Sequence, residues 1–212
     1  MNPHNHSDQP STPRKLGFYG GAFDPPHLAH LALAKQAIAQ LNLDTLFVTP
    51  TGQAGHKAPS KTPALHRLAM LALAFADMTK VVIDDRETRR TGPSYTVDSL
   101  IELNAEHPQA QWFLIIGEDQ AQSFEGWRDW QKILAMAQVV VAARAMSDAH
   151  APTESRWHNR GVPKAIDLAF PAMDISATRI REAIEQGRSI AQWVHPSVND
   201  YIHHHHLYRQ TR

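Results

Sequence analysis

Two histidines three residues apart, His27 and His30, follow a glycine pair, Gly20-Gly21, and the segment Ala22-Phe23-Asp24-Pro25-Pro26. On a helix that spacing puts both imidazoles on one face, where they can serve the same ligand. Gly20 and Gly21, without a Cβ, allow a sharp turn and let a ligand come close to the main chain. Asp24 is expected to cap the following helix, with Pro25 and Pro26 in its first turn, where a missing N–H costs little. Free N–H groups and the positive end of the helix dipole would then face a bound anion, of which phosphate is the usual one. Each piece alone is commonplace, since glycine pairs occur in many turns and histidine pairs on many surfaces. Only the combination points to a phosphate-binding helix start.

A second segment of the same kind is Asp174-Ile175-Ser176-Ala177-Thr178-Arg179-Ile180-Arg181. Hydroxyls at a helix start are usually caps. Here Ser176 and Thr178 are joined by Arg181, whose guanidinium suits phosphate oxygens, and the first turn offers further N–H donors. Between the two segments lie His56 and Lys57 in a polar loop, Gly117 and Asp119 after an apolar run, and Trp127 just after a glycine. Trp127 is placed to offer a ring face to a flat ligand, whereas Trp130 reads as core.

The elements that would hold these groups alternate. Leu16 to Tyr19 reads as a buried strand, Leu28 to Leu41 as an alanine- and leucine-rich helix, and Thr45 to Thr49 as a strand closed by Pro50. After the loop Thr51 to Pro63 come a helix over Ala64 to Asp77 and a strand over Lys80 to Asp84. Asp85 to Pro93 reads as a charged surface loop. Ser94 would cap a helix over Val97 to Glu106. Trp112 to Ile116, Gln138 to Ala143 and Ala165 to Phe170 are the remaining strands, with an amphipathic helix ending near Met136 and another near Gln186. Strand and helix in alternation imply a doubly wound parallel α/β sheet. In such a sheet ligands bind beyond the C-terminal ends of the strands, which is where the glycine pair, Lys57, and Gly117 with Asp119 fall.

Composition narrows the partners. The chain has 212 residues, enough for one domain of above-average size. Residues 1–15 read as a flexible polar tail and 16–212 as a single domain. Lysine plus arginine equals aspartate plus glutamate at 21 each, so there is no basic footprint of a nucleic-acid binder. The absence of cysteine excludes disulfides, thiolate metal sites and a cysteine nucleophile, and it fits a reducing cytoplasm. No run approaches the roughly 20 apolar residues that a membrane helix needs. The course of Ala145 to Lys164 is not readable from the pattern. The run His203 to His206 lies inside the C-terminal segment and reads as a native surface stretch.

The segment Gly20 to His30 resembles the phosphate-binding loop and H-x-G-H element of the nucleotidyltransferases related to class I aminoacyl-tRNA synthetases, with Ala29 where glycine is usual and Ala22 where a hydroxyl residue is common. Together with Pro93-Ser94-Tyr95-Thr96, Ile115-Ile116-Gly117-Glu118-Asp119, Phe124 with Trp127, Ile175 to Arg181 and the ending Tyr201-Ile202 to Leu207-Tyr208, it is similar to the bacterial nicotinate mononucleotide adenylyltransferase family from Leu16 to about Tyr208. The resemblance implies a Rossmann-like nucleotidyltransferase fold with a small C-terminal helical segment. It implies that ATP and nicotinate mononucleotide are joined with release of pyrophosphate, giving the dinucleotide precursor of NAD.

By the same resemblance His27, His30 and Arg181 would be catalytic. Gly20, Gly21, Phe23, Gly117, Asp119, Ser176 and Thr178 would bind ATP, and Lys57, Tyr95, Thr96 and Trp127 the mononucleotide. Mg²⁺ would be held mainly by the substrate phosphates, with no dedicated protein site. The attacking phosphate is already mostly anionic at pH 7, so no general base is required. Arg128 follows Trp127, but the sequence leaves its direction open. Nicotinamide mononucleotide and phosphopantetheine are alternative acceptors on the same scaffold, and a nucleotide-binding regulatory module is the non-enzymatic alternative. A homo-oligomer is compatible with the sequence.

Overall fold

The computed structural model describes residues 12–54, 62–144, 162, 164–171 and 173–209. Strand β1 (Lys15–Gly21) leads into helix α1 (Leu28–Leu41), followed by β2 (Thr45–Pro50), β3 (Gln53–Ala54) and α2 (Ala64–Ala74). Next come β4 (Val81–Ile83), α3 (Arg86–Arg89), β5 (Pro93–Ser94), α4 (Thr96–Glu106) and β6 (Gln111–Gly117). The chain closes with α5 (Glu118–Gln122), a 3₁₀ turn at Phe124–Gly126, α6 (Trp130–Met136), β7 (Ala137–Arg144), β8 (Ile166–Phe170), α7 (Ala177–Glu185) and α8 (Pro196–His204). No helix among the described residues is long and apolar enough to cross a membrane.

Six strands form one parallel sheet in the order β4-β2-β1-β6-β7-β8. Counted along the sheet strands alone, this is the doubly wound order 3-2-1-4-5-6, with its switch point between β1 and β6. Alternation along each strand divides the core in two. Leu16 and Phe18 of β1, with Trp112, Leu114 and Ile116 of β6, face Val97, Leu100 and Leu103 of α4 and Ile133 of α6. Tyr19, Phe113 and Ile115 face the opposite way, against α1, α2, α7 and α8. Both faces are covered, as the near-continuous apolar runs of these strands require.

Three local expectations need correction. Asp24 does not cap α1: the N-cap is His27, and Pro25 and Pro26 precede the helix. The carboxylate of Asp24 instead accepts the Tyr208 hydroxyl at 2.7 Å and the Thr62 N–H at 3.4 Å. Ser94 does not cap α4, whose N-cap is Tyr95; its hydroxyl donates to the Glu87 carbonyl at 3.3 Å. Residues 85–93 are not a plain surface loop, because they hold α3 and open β5, which pairs with β3 in a second, two-stranded sheet. The charges there divide: Arg86 and Arg90 are mostly covered, Arg86 pairing with Asp84, Glu102 and Glu106 and Arg90 with Glu102, while Asp85 and Arg89 pair in the open. Charge pattern alone cannot separate such a network from a solvated surface. Trp130 is partly buried, edge-on to Phe124, so its core assignment holds in part.

Candidate active site

The switch point concentrates the candidate residues. Gly20 and Gly21 end β1, Gly117 ends β6, and each strand hands over there to a loop or helix. Two cavities open at this edge. The first, of about 460 Å³, is lined by Phe18, Gly20, Gly21, Tyr95, Thr96, Asp119, Trp127 and Arg128 among others. The second, of about 490 Å³, is lined by Tyr19, Ala29, His30, Gly117, Asp119 and Ile175 among others. Because Phe18 and Tyr19 point to opposite faces of β1, the cavities belong to opposite faces of the sheet, and Asp119 borders both. Two ligands could therefore approach from the two faces and meet across the sheet edge.

The histidines are stacked. The rings of His27 and His30 lie 3.6 Å apart at 17°, and the His27 N–H donates to Nδ1 of His30 at 3.1 Å. That bond leaves the proton of a neutral His30 on Nε2, as a donor. Burial pushes the pKa of His27 down to about 4; burial and then the neighbouring His27 push that of His30 well below its ordinary value. Both are thus neutral donors at pH 7 rather than cations. An incoming polyanion would favour their charged forms.

Phe23, expected to touch nucleotide, is 2% exposed and packs its edge against His30 at 4.9 Å. Its ring backs the histidine. It does so from a left-handed backbone conformation, φ 49°, that a side-chain-bearing residue adopts at a cost. A Cβ on Gly21 would lie 3.0 Å from the Phe23 ring, so a larger residue there would press on this packing. The start of α1 is also less open than its sequence suggests, because Leu28 N–H already donates to the Trp193 carbonyl at 2.8 Å.

Arg181 joins the two helix starts. It donates to the Asp24 carbonyl at 2.7 Å and to Thr178 Oγ1 at 3.1 Å. Ser176 caps α7, accepting the Arg179 N–H at 3.2 Å, while Arg179 itself is taken up by Asp174 and lies 5.2 Å over the Trp193 ring. Gly117 is held by its N–H to Gln120 Oε1 at 3.1 Å, and a Cβ there would meet Asp119 Oδ1 at 2.8 Å. Tyr95 and Thr96 bring the N-terminus of α4 to the first cavity, which is also lined by Trp127, packed on Phe124 at 5.3 Å. Lys57 and His56 lie outside the described residues.

Several residues that build the site escaped the sequence reading. Arg67 is 2% exposed and donates to the carbonyls of Thr62 at 3.2 Å and Ala22 at 2.9 Å, holding the glycine loop from below. Its signal was available: Arg67, Met70, Leu71 and Ala74 form the buried stripe of α2, so an arginine occupies a core position. Glu87 borders the first cavity while accepting Ser99 Oγ at 2.8 Å, with its pKa raised by burial. No local pattern marks it. The run His203 to His206 is exposed, as expected, and His205 lies 5.2 Å from His66 of α2.

Comparison with known proteins agrees with this fold. A family described as cytidylyltransferase-like matches residues 18–183. A protein of Albidiferax ferrireducens, described as a probable nicotinate-nucleotide adenylyltransferase, is 49% identical over 203 residues, covering 92% of this chain and 98% of its own. A protein of Methylibium petroleiphilum with the same description is 36% identical over 208 residues, covering 95% and 96%. Among solved structures, Plasmodium falciparum nicotinic acid mononucleotide adenylyltransferase complexed with NaAD superposes with a TM-score of 0.73 at 21% identity, covering 92% of this chain and 97% of that one. At that identity the superposition speaks for the fold.

Proposed function

This chain belongs to the nicotinate-nucleotide adenylyltransferase family, and from that premise we propose how its site transfers the adenylyl group of ATP to nicotinate mononucleotide, forming nicotinate adenine dinucleotide and pyrophosphate in NAD biosynthesis. The observation that supports the assignment of residues is the pair of cavities on opposite sheet faces meeting at Asp119. ATP takes the cavity bordered by His30, Gly117 and Ile175, and the mononucleotide takes the one bordered by Tyr95, Thr96 and Trp127.

The reaction needs in-line placement of a phosphate oxygen on the α-phosphorus and stabilisation of charge spreading onto the leaving pyrophosphate. His30 donates from Nε2 to the phosphates, backed by the stacked His27 and the ring of Phe23. Arg181, already spanning the two helix starts, neutralises the pyrophosphate as it departs. Ser176 and Thr178, with the first turn of α7, hold the phosphate tail, and Gly20 and Gly21 allow the chain to be approached closely. Trp127 stacks on the pyridine ring, Tyr95 and Thr96 border it, and Lys57 binds the mononucleotide phosphate. The attacking phosphate is already mostly anionic at pH 7 and is its own nucleophile, so no general base is required.

Mg²⁺ is the proposed cation, carried in on the phosphates. The donor set fits: Asp119 gives one hard carboxylate oxygen donor where the cavities meet, and Mg²⁺ is commonly held by one or two carboxylates plus substrate phosphates and water. When bound, the ion neutralises charge on the triphosphate. The proposed location is the cytoplasm, where ATP is available.

The test is product formation by the purified protein with ATP and Mg²⁺, offering nicotinate mononucleotide, nicotinamide mononucleotide and phosphopantetheine in turn. Dinucleotide and pyrophosphate should form in equal amounts, fastest with the nicotinate compound. ATP binding without product from any acceptor would leave a regulatory nucleotide-binding module and end the enzymatic reading.

A further inference from the structure

We propose that Arg128 reads the carboxylate of the pyridine ring and so sets the preference for the acid over the amide. The inference rests on the reading that the ring lies beside Trp127 and Tyr95. Sequence order alone left the direction of Arg128 open, because the residue after a stacking tryptophan can point into the cleft or away from it.

The structure places it at the cavity rim. Arg128 borders the first cavity, and its guanidinium carbon lies 4.7 Å from the centroid of the Tyr95 ring. Stacking on an aromatic face occupies the flat side of a guanidinium and leaves its N–H edges pointing outward, where they can fork onto a carboxylate. Among the described residues Arg128 pairs with Asp129 at 3.9 Å, both side chains more than half exposed, a loose pair that leaves those edges available.

Charge within the cavity makes the same point. Among the described residues that line it, Arg128 is the sole cation, while Glu87 and Asp119 are acids. A ligand carboxylate would enter an acidic environment unless one group compensated it. The start of α4, next to Tyr95 and Thr96, favours negative charge as well, but only by a partial charge. An amide ligand needs no such compensation. Arginine also presents donors only, so it has nothing to offer the N–H₂ of nicotinamide.

The other anion on the mononucleotide, its phosphate, is the competing target. It must reach the α-phosphorus of ATP near His30 and Arg181, whereas Arg128 stands with Trp127 and Tyr95 at the aromatic end. The two targets predict different kinetics, since the phosphate is common to both mononucleotides and the carboxylate is not.

The experiment measures kcat/KM for nicotinate and nicotinamide mononucleotide, at saturating ATP and Mg²⁺, with the parent protein and its Arg128→Gln and Arg128→Lys variants. Arg128→Gln should lower kcat/KM for the acid roughly 10-fold, mostly through KM, the size expected when a half-exposed charge-assisted hydrogen bond is lost. The value for the amide should stay within about 2-fold. Arg128→Lys, which keeps the charge but not the fork, should fall between. An unchanged ratio of acid to amide, whether both values hold or both drop together, would overturn the assignment. Should the parent protein use neither mononucleotide, the reading of the site itself fails, a result separable from an unmoved ratio in an active enzyme. The side chain is 56% exposed, so both variants are expected to fold, and equal melting temperatures would verify that.

Discussion

Replacing Tyr208 by phenylalanine removes one oxygen near the end of the chain and should be felt at the other end of the fold. That hydroxyl donates to Asp24 Oδ1 at 2.7 Å, and Asp24 is 4% exposed. A hydrogen bond to a buried charged group contributes about 1.5–3 kcal/mol, and this one is short. We expect a loss of about 2 kcal/mol, which for a domain of this size lowers Tm by about 4–8 °C. The effect should not stop at stability. The carbonyl of the same Asp24 accepts the 2.7 Å bond from Arg181, so a loosened Asp24 misplaces the cation that joins the two helix starts. kcat should fall roughly 10-fold, since misplacement of a group acting on the transition state is costly. Urea titration and steady-state kinetics measure both, with Tyr201→Phe as the control: Tyr201 bonds His66 at 3.0 Å, away from the cavities, and its loss should leave kcat alone. A Tyr208→Phe variant with parental Tm refutes the energetic argument. A destabilised variant with parental kcat refutes the link from Asp24 to Arg181.

Gly52→Ala would bring a Cβ within 2.1 Å of the Glu87 carbonyl oxygen, a backbone atom that cannot swing aside, so urea unfolding should show a loss of about 1–3 kcal/mol; a neutral substitution would mean that this wall of the first cavity yields freely. The buried histidines predict a pH dependence. The pKa of His27 is about 4 folded and about 6.5 unfolded, so the unfolded chain takes up the proton first. Stability is then complete above pH 6.5 and declines as pH falls towards 4, by about 3 kcal/mol from this residue. His27→Gln should flatten that part of the urea-midpoint profile, and an unchanged slope would exclude His27 as its source. His30→Ala should lower kcat by at least about 100-fold, because a donor aimed at transition-state charge is lost; a near-normal rate refutes its role.

Much of the frame was legible because it follows from short-range rules. The helix Leu28–Leu41 has the boundaries that its alanine and leucine pattern suggests, and the six strands of the main sheet lie within a residue or two of their apolar runs. The segments with least periodicity fared worst. Residues 85–94 carry charges that could equally be solvated or paired, and only their proximity to α4 makes Arg86 and Arg90 part of an internal network. Asp24 shows the same limit: a carboxylate before a helix usually caps it, but a partner 184 positions away competes successfully.

What the sequence determined by itself is the set of local chemistries and their order: glycine turn, histidine pair, hydroxyl-and-arginine helix start, and strands alternating with helices. Residue type and spacing carry that information because helix and strand periods are local. What only the tertiary structure decided is which of these groups meet. Strand order puts Gly21 and Gly117 at one switch point, alternation along β1 sends Phe18 and Tyr19 to separate cavities, and the packing of α7 brings Arg181 to the Asp24 carbonyl. Those contacts join residues far apart in the chain, and only the tertiary packing of the elements brings them together.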